Sequence, residues 1–196
     1  PYMKDSIEWD PVFDHEMRIA ELSKRIITME EVKTALDSYP GVPKGAVKED
    51  YQKLYDEALL ELKNNPELKG KPEMFNKLAR NMAMVRRAEN LEEHFRLQGI
   101  QPKYPVEIHV VRIGDIVFAT NPFELYLDFG TRIKARSPAI QTFLVQLAGS
   151  GTYLPTSRSV KGQAYGAIPA SNVVGPEGGQ ELVENTLEMI NALWNK

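Results

Sequence analysis

Residues 113–167 read IGDIVFATNPFELYLDFGTRIKARSPAIQTFLVQLAGSGTYLPTSRSVKGQAYGA. The order is strand, polar tip with a carboxylate, helix, strand, then a Gly-rich loop carrying tyrosines. Two strands joined through a helix run parallel, with a right-handed crossover. The residues that follow each strand then share one carboxyl edge of the sheet, the edge at which open α/β sheets bind ligands. Glu124 and the loop around Tyr153 lie far apart in sequence, and this topology brings them to the same rim.

Working outward, Gly114-Asp115 is a two-residue turn between Glu107–Arg112, which alternates around Val106, Ile108 and Val110, and Ile116–Ala119, a hairpin signal. Phe123, Tyr126, Leu127 and Ile133 form a helical stripe stopped near Pro138, and residues 140–147 read as a short buried strand. Pro176 and Glu177 open a final helix with Val183, Thr186, Leu187, Ile190, Leu193 and Trp194 on one face. Toward the N-terminus the chain reads as helices. Thr28 and Glu31 make a capping box, with a stop at Ser38–Gly41. Val47, Tyr51, Leu54, Ala58 and Leu62 mark a helix over about 46–64. Phe75, Leu78, Met82 and Val85 mark another from Pro72 to about Leu97, an antiparallel neighbour across a short connection.

Charge density shifts near residue 103. Residues 1–103 hold 17 Lys+Arg and 19 Asp+Glu, and residues 104–196 hold 7 and 8, while glycine rises from 4 to 9. The expected class is α/β: a helical half over 1–103, packed with a mixed sheet over 104–196 that contains a βαβ unit. The formal net charge of −3 argues against a nucleic-acid surface. No apolar run approaches the roughly 20 residues needed to span a bilayer. The chain starts with Pro1 rather than methionine, which implies processing or excision from something longer. Cysteine is absent, so disulfides and thiolate zinc sites are excluded.

Glu124 reads in two ways: as a carboxylate favoured by a helix N-terminus, or as a metal ligand or general base at the sheet edge. Tyr153 either packs on the sheet or faces the same edge. The Gly149-Ser150-Gly151 loop lacks the lysine and helix start of a phosphate cradle. His15, His94 and His109 show no ligand spacing. No Gly-x-Ser-x-Gly is present, and no catalytic nucleophile is assigned.

The stretches RIGDIVFATNPFELYLDFGTRIKARSP and LAGSGTYLPTSRSVKGQAYGA, with SNVVGPEGGQELVENTLEMINAL at the end, resemble the C-terminal part of the catalytic domain of neutral, non-lysosomal ceramidase-like hydrolases, in particular their bacterial relatives. The resemblance spans about residues 104–196. It implies a zinc-dependent hydrolase of N-acyl amides. The zinc would be held by histidines from an N-terminal part together with a glutamate and a tyrosine from this part. Glu124 matches that glutamate, Tyr153 the tyrosine, and Tyr165 an aromatic near the site. Ser150 and Gly151 join Tyr165 as substrate-binding candidates. Phe123 stands where the family has glycine in Pro-Gly-Glu, Ala148 and Ser150 where it often has asparagine and tyrosine, and Gly166 where Tyr-Glu is common. The implied partners are the N-terminal remainder of the same protein and a lipid-like N-acylated substrate. On this reading the chain alone binds no zinc, and export to the periplasm or outside is expected. The alternative is a non-catalytic relative that binds a ligand or partner at the same edge.

Overall fold

A computed structural model describes residues 9–37, 39 and 41–195. These fall into two compact units: one within 1–25, 102–167 and 172–196, the other comprising 26–101 and 168–171.

The first unit is an α/β layer structure. Its sheet has the order β1 (Phe13–Ser23), β2 (Lys103–Ile113), β3 (Ile116–Thr120), β5 (Gln141–Val145). β1, β2 and β3 run antiparallel, with the expected Gly114-Asp115 turn between β2 and β3, and β3 pairs with β5 in parallel. The α4 helix (Leu127–Arg136) makes the crossover from β3 to β5, and a small parallel pair, β4 (Glu124–Leu125) with β6 (Tyr153–Leu154), sits beyond the strand ends. A mixed sheet with a βαβ unit is therefore present.

One sheet face carries the core. Val106, Ile108 and Val110 of β2 and Val117 and Ala119 of β3 meet Leu182, Val183, Met189, Ile190 and Leu193 of α6 (Pro176–Trp194). Each such aliphatic side chain taken out of water contributes about 1.5–3 kcal/mol, so α6 is held by its stripe rather than by intrinsic propensity. The helix crosses α4 through Gly179, where a Cβ would come 2.3 Å from the Phe129 ring. Its C-terminus is closed by Arg112, whose Nη1 donates to the Leu193 carbonyl at 2.6 Å while the guanidinium lies 4.0 Å above the Trp194 ring.

Residues 13–23 correct the expectation that helices fill the first half. They form β1, paired along its length with β2. The alternation Phe13, Met17, Ile19 is masked in the sequence by Glu16 and Arg18, which face α6. Arg18 Nη1 donates to Asn185 Oδ1 at 3.1 Å and to Glu188 at 2.8 Å, so charge on the inner face is paired rather than stranded. β5, expected to be buried, shows alternating burial, with only Thr142 buried.

In the second unit, α2 (Lys48–Asn64) and α3 (Pro72–Leu97) are antiparallel neighbours, tied by Lys48–Glu92 and Lys77–Glu61 ion pairs at 2.7 Å each. The short α1 (Met29–Lys33) begins at the predicted capping box: Thr28 accepts from Glu31 N at 3.1 Å and Glu31 accepts from Thr28 N at 2.8 Å. Of the expected stop, Ser38 and Pro40 lie outside the described residues. The buried stripe of α3 is Met74, Asn81, Met84, Val85, Ala88 and Leu91, and Phe75 is exposed. Met and Ala residues lie on two adjacent faces of this helix, and spacing alone does not choose between them. On α2, Tyr51 and Ala58 are buried, while Val47 and Leu54 are exposed.

Gly179→Ala places a methyl against Phe129 and is expected to cost about 1–3 kcal/mol, measured as a lower urea midpoint with unchanged slope. A second test concerns Glu181. Burial disfavours its ionised form, but Lys103 Nζ at 2.6 Å, Ser23 Oγ at 2.7 Å and Ser23 N at 2.6 Å outweigh that and hold the carboxyl below its usual value. A depressed carboxyl contributes stability above its unfolded pKa of about 4.3 and loses it as pH falls through the folded value. Glu181→Gln is expected to be about 1–2 kcal/mol less stable than wild type at pH 7, with the gap closing below about pH 4. Denaturant titrations at both pH values check this, and a gap that persists in acid contradicts it.

Candidate functional site

The site is built where β3 and β5 end. Thr120 pairs with Val145, and Asn121 N adds one further bond to the Val145 carbonyl at 2.9 Å. The chain then turns sharply. Buried Asn121 accepts from Phe123 N at 3.1 Å through Oδ1, and its carbonyl accepts from Ala148 N at 3.0 Å. Side-chain capping of this kind is how asparagine stabilises a turn. Phe123, only 1% exposed, is anchored in the main core. A large apolar side chain therefore holds the tip at the position where the resembling family has a flexible glycine.

With Phe123 inside, Glu124 projects outward. The β4–β6 pair sets Glu124 directly opposite Tyr153, with Glu124 N bonded to the Thr152 carbonyl at 3.1 Å and Tyr126 N to the Leu154 carbonyl at 3.3 Å. Gln146 completes the arrangement: its Oε1 accepts from Leu125 N at 2.6 Å, tying the end of β5 to β4. The glycine at 151 is required, because a Cβ there would lie 2.0 Å from the Pro122 carbonyl oxygen.

The Tyr153 phenol and the Glu124 carboxylate line the same cleft from facing positions of the β4–β6 pair. The neighbouring Glu124 carboxylate, which favours the protonated phenol as an acceptor and as a negative charge, together with desolvation raises the phenol above its ordinary value. Tyr165 meets Tyr153 edge-on, with ring centroids 5.9 Å apart and planes at 81°. Gly166 allows this stack, since a Cβ there would lie 2.6 Å from the Tyr153 ring and 3.1 Å from Tyr126 Oη. Glu124, Leu125, Tyr126, Gln146, Leu147 and Tyr153 line an open cleft of about 500 Å³. Leu147 adopts a left-handed backbone at φ 56°, a conformation costing on the order of 1–2 kcal/mol for a residue with a Cβ.

The structure thus brings Glu124 and Tyr153 together and sets Tyr165 beside them, while Ser150 is exposed outside the cleft lining. Glu124 does not start a helix: it lies in β4, and α4 begins three residues later behind Tyr126. Tyr126 was expected only as part of a helical stripe, and Gln146 and Leu147 were not singled out as site residues. The only available signal was their place just after strand ends. As for a metal, Glu124 and Tyr153 supply two convergent oxygen donors, which fits part of a zinc ligand set. Among the described residues no group of three or more His, Cys, Asp or Glu is placed to hold a metal. No protein-family model matches this sequence, and no curated protein or solved structure is significantly similar to it. No described helix is long and apolar enough to cross a membrane.

The carboxylate–phenol contact is directly testable. In Glu124→Ala the Tyr153 phenol is expected to ionise at lower pH than in wild type, because its acceptor and the adjacent negative charge are gone. Ultraviolet difference titration against Tyr153→Phe isolates this phenol, and superimposable wild-type and variant curves would contradict the contact.

Proposed function

We propose that this chain is the C-terminal portion of a zinc-dependent, ceramidase-like amidohydrolase acting on N-acylated, lipid-like substrates. The observation that carries the reading is the convergence of Glu124 and Tyr153 at the carboxyl edge of a parallel strand pair. They lie on the two segments where the family resemblance puts the glutamate and tyrosine ligands. In this reading Glu124 and Tyr153 hold the metal from this side, and histidines from an N-terminal remainder of the same protein complete the set. Zinc, when bound, polarises a carbonyl and lowers the pKa of a bound water.

The chain's own residues have separate tasks. Glu124 offers a carboxylate fixed by a main-chain ladder rather than by a loose loop. Tyr153 keeps its proton beside the Glu124 carboxylate, and the β4–β6 pairing and the Tyr165 ring set its position before any ligand arrives. Tyr165 covers the outer edge of the phenol ring. Leu125 and Leu147 give the cleft apolar walls suited to an acyl chain, and the polar groups at its base suit an amide.

Zinc content and hydrolysis of an N-acyl sphingoid amide, measured on the intact longer protein, test the proposal. Glu124→Ala is expected to weaken zinc binding by 10-fold or more and to abolish turnover. Unchanged zinc stoichiometry and affinity would remove Glu124 from the ligand set. Full zinc binding without turnover in the wild-type protein would favour a non-catalytic ligand-binding relative.

A further inference from the structure

α6 and α4 cover one face of the four-stranded sheet, and the opposite face carries apolar side chains without cover among the described residues. Phe13 is 72% exposed, Met17 52%, Ile19 51%, Phe143 42% and Val145 42%. Phe118 joins them, stacked on Phe143 with centroids 4.8 Å apart. The registers of β1 with β2, β2 with β3, and β3 with β5 put all six on the same side of the pleat. Antiparallel sheets left open to water alternate apolar-in with polar-out, whereas strands apolar on both faces belong to sheets covered on both faces.

The polar row across the middle of this face is partnered within itself, and Glu21 and Gln141 lie exposed toward its ends. His109 Nε2 lies 2.9 Å from Glu107 Oε1, and His15 Nε2 lies 3.0 Å from His109 Nδ1, with the two rings stacked. With His109 Nε2–H donating to Glu107, Nδ1 accepts from His15. The row is internally satisfied, which lowers the cost of removing it from water. The central carboxylate, Glu107, is engaged by a histidine and Glu21 stands apart toward the end of β1, so a two-fold copy of this face meets no cluster of unpaired like charges.

The area also suffices. Two strands of 11 residues and two of five, at the usual rise and spacing, give a footprint on the order of 500 Å² per chain. Two such faces bury about 1,000 Å², the level a stable interface must clear. Aligned sheets pack face to face at about 10 Å, and identical faces meet naturally about a two-fold axis.

We infer that this sheet face is a docking surface for a second copy of the chain, giving a two-fold dimer with a sheet-on-sheet interface. The proposal is independent of the zinc reading.

Sedimentation equilibrium of the 196-residue chain tests it. The wild-type chain is expected at twice the chain mass. Met17→Glu combined with Phe143→Glu buries two unpaired carboxylates in such an interface and is expected to raise the dissociation constant at least ~100-fold. Both sites are half exposed, and circular dichroism confirms that the variant is folded. Leu60→Glu, on exposed α2 of the other unit, is expected to leave the dimer intact. A monomeric wild type at about 100 μM, open-ended association without a dimer plateau, or a folded double variant that dimerises as tightly as wild type would each overturn the proposal. A monomer recovered only when a longer natural form of the protein is used would assign the face to that added segment and overturn the dimer as well.

Discussion

Parallel strands cannot be closed by a tight turn, and that constraint organises the cleft. β3 and β5 lie side by side in the same direction, so the chain must cross from the end of one to the start of the other, and α4 does so over the core face. Both strands then stop at the same edge, and the polypeptide leaves each of them in the same place. Asn121 turns the first exit and Gln146 ties down the second, so that β4 and β6 form a second, smaller parallel pair. Without the parallel register, Glu124 and Tyr153 would have no reason to meet.

The local anchoring is apolar. Phe123 fills the core and leaves its successor facing outward, which turns a single alternation of the chain into the placement of a carboxylate. The phenol opposite is backed by Gly166 and edged by Tyr165. A carboxylate and a protonated phenol are therefore presented together on main-chain scaffolding, with leucines on either side. Supporting groups of this kind let a site hold its geometry before a ligand contributes anything.

The two faces of the sheet solve different problems. Toward α6, charges are neutralised in pairs: Arg18 reaches Glu188 and Asn185, and Lys103 reaches Glu181. On the other face, the apolar side chains lie level with solvent around a His15–His109–Glu107 row that is bonded within itself. The same alternation that hid β1 in the sequence produces both surfaces, since Glu16 and Arg18 face inward beside buried Ala20 and Leu22 while Phe13, Met17 and Ile19 face outward.

Much of the second half was legible in advance because short-range chemistry writes it. Gly114-Asp115 dictates a hairpin, the stripe from Val183 to Leu193 dictates an amphipathic helix, and a helix between two apolar runs dictates a parallel pair. The capping box at Thr28 and Glu31 is equally local. β1 was not legible, because its pairing with β2 spans some 80 intervening residues and its inward charges imitate a helical surface. Nor was the buried side of α3, where two faces are equally apolar and only the packed neighbour selects one. The carboxylate at 124 and the phenol at 153 were each visible as residues. Their pairing, the tie that Gln146 makes to Leu125 and the burial of Phe123 arise only from tertiary structure, because they depend on where two distant strand ends stop in space.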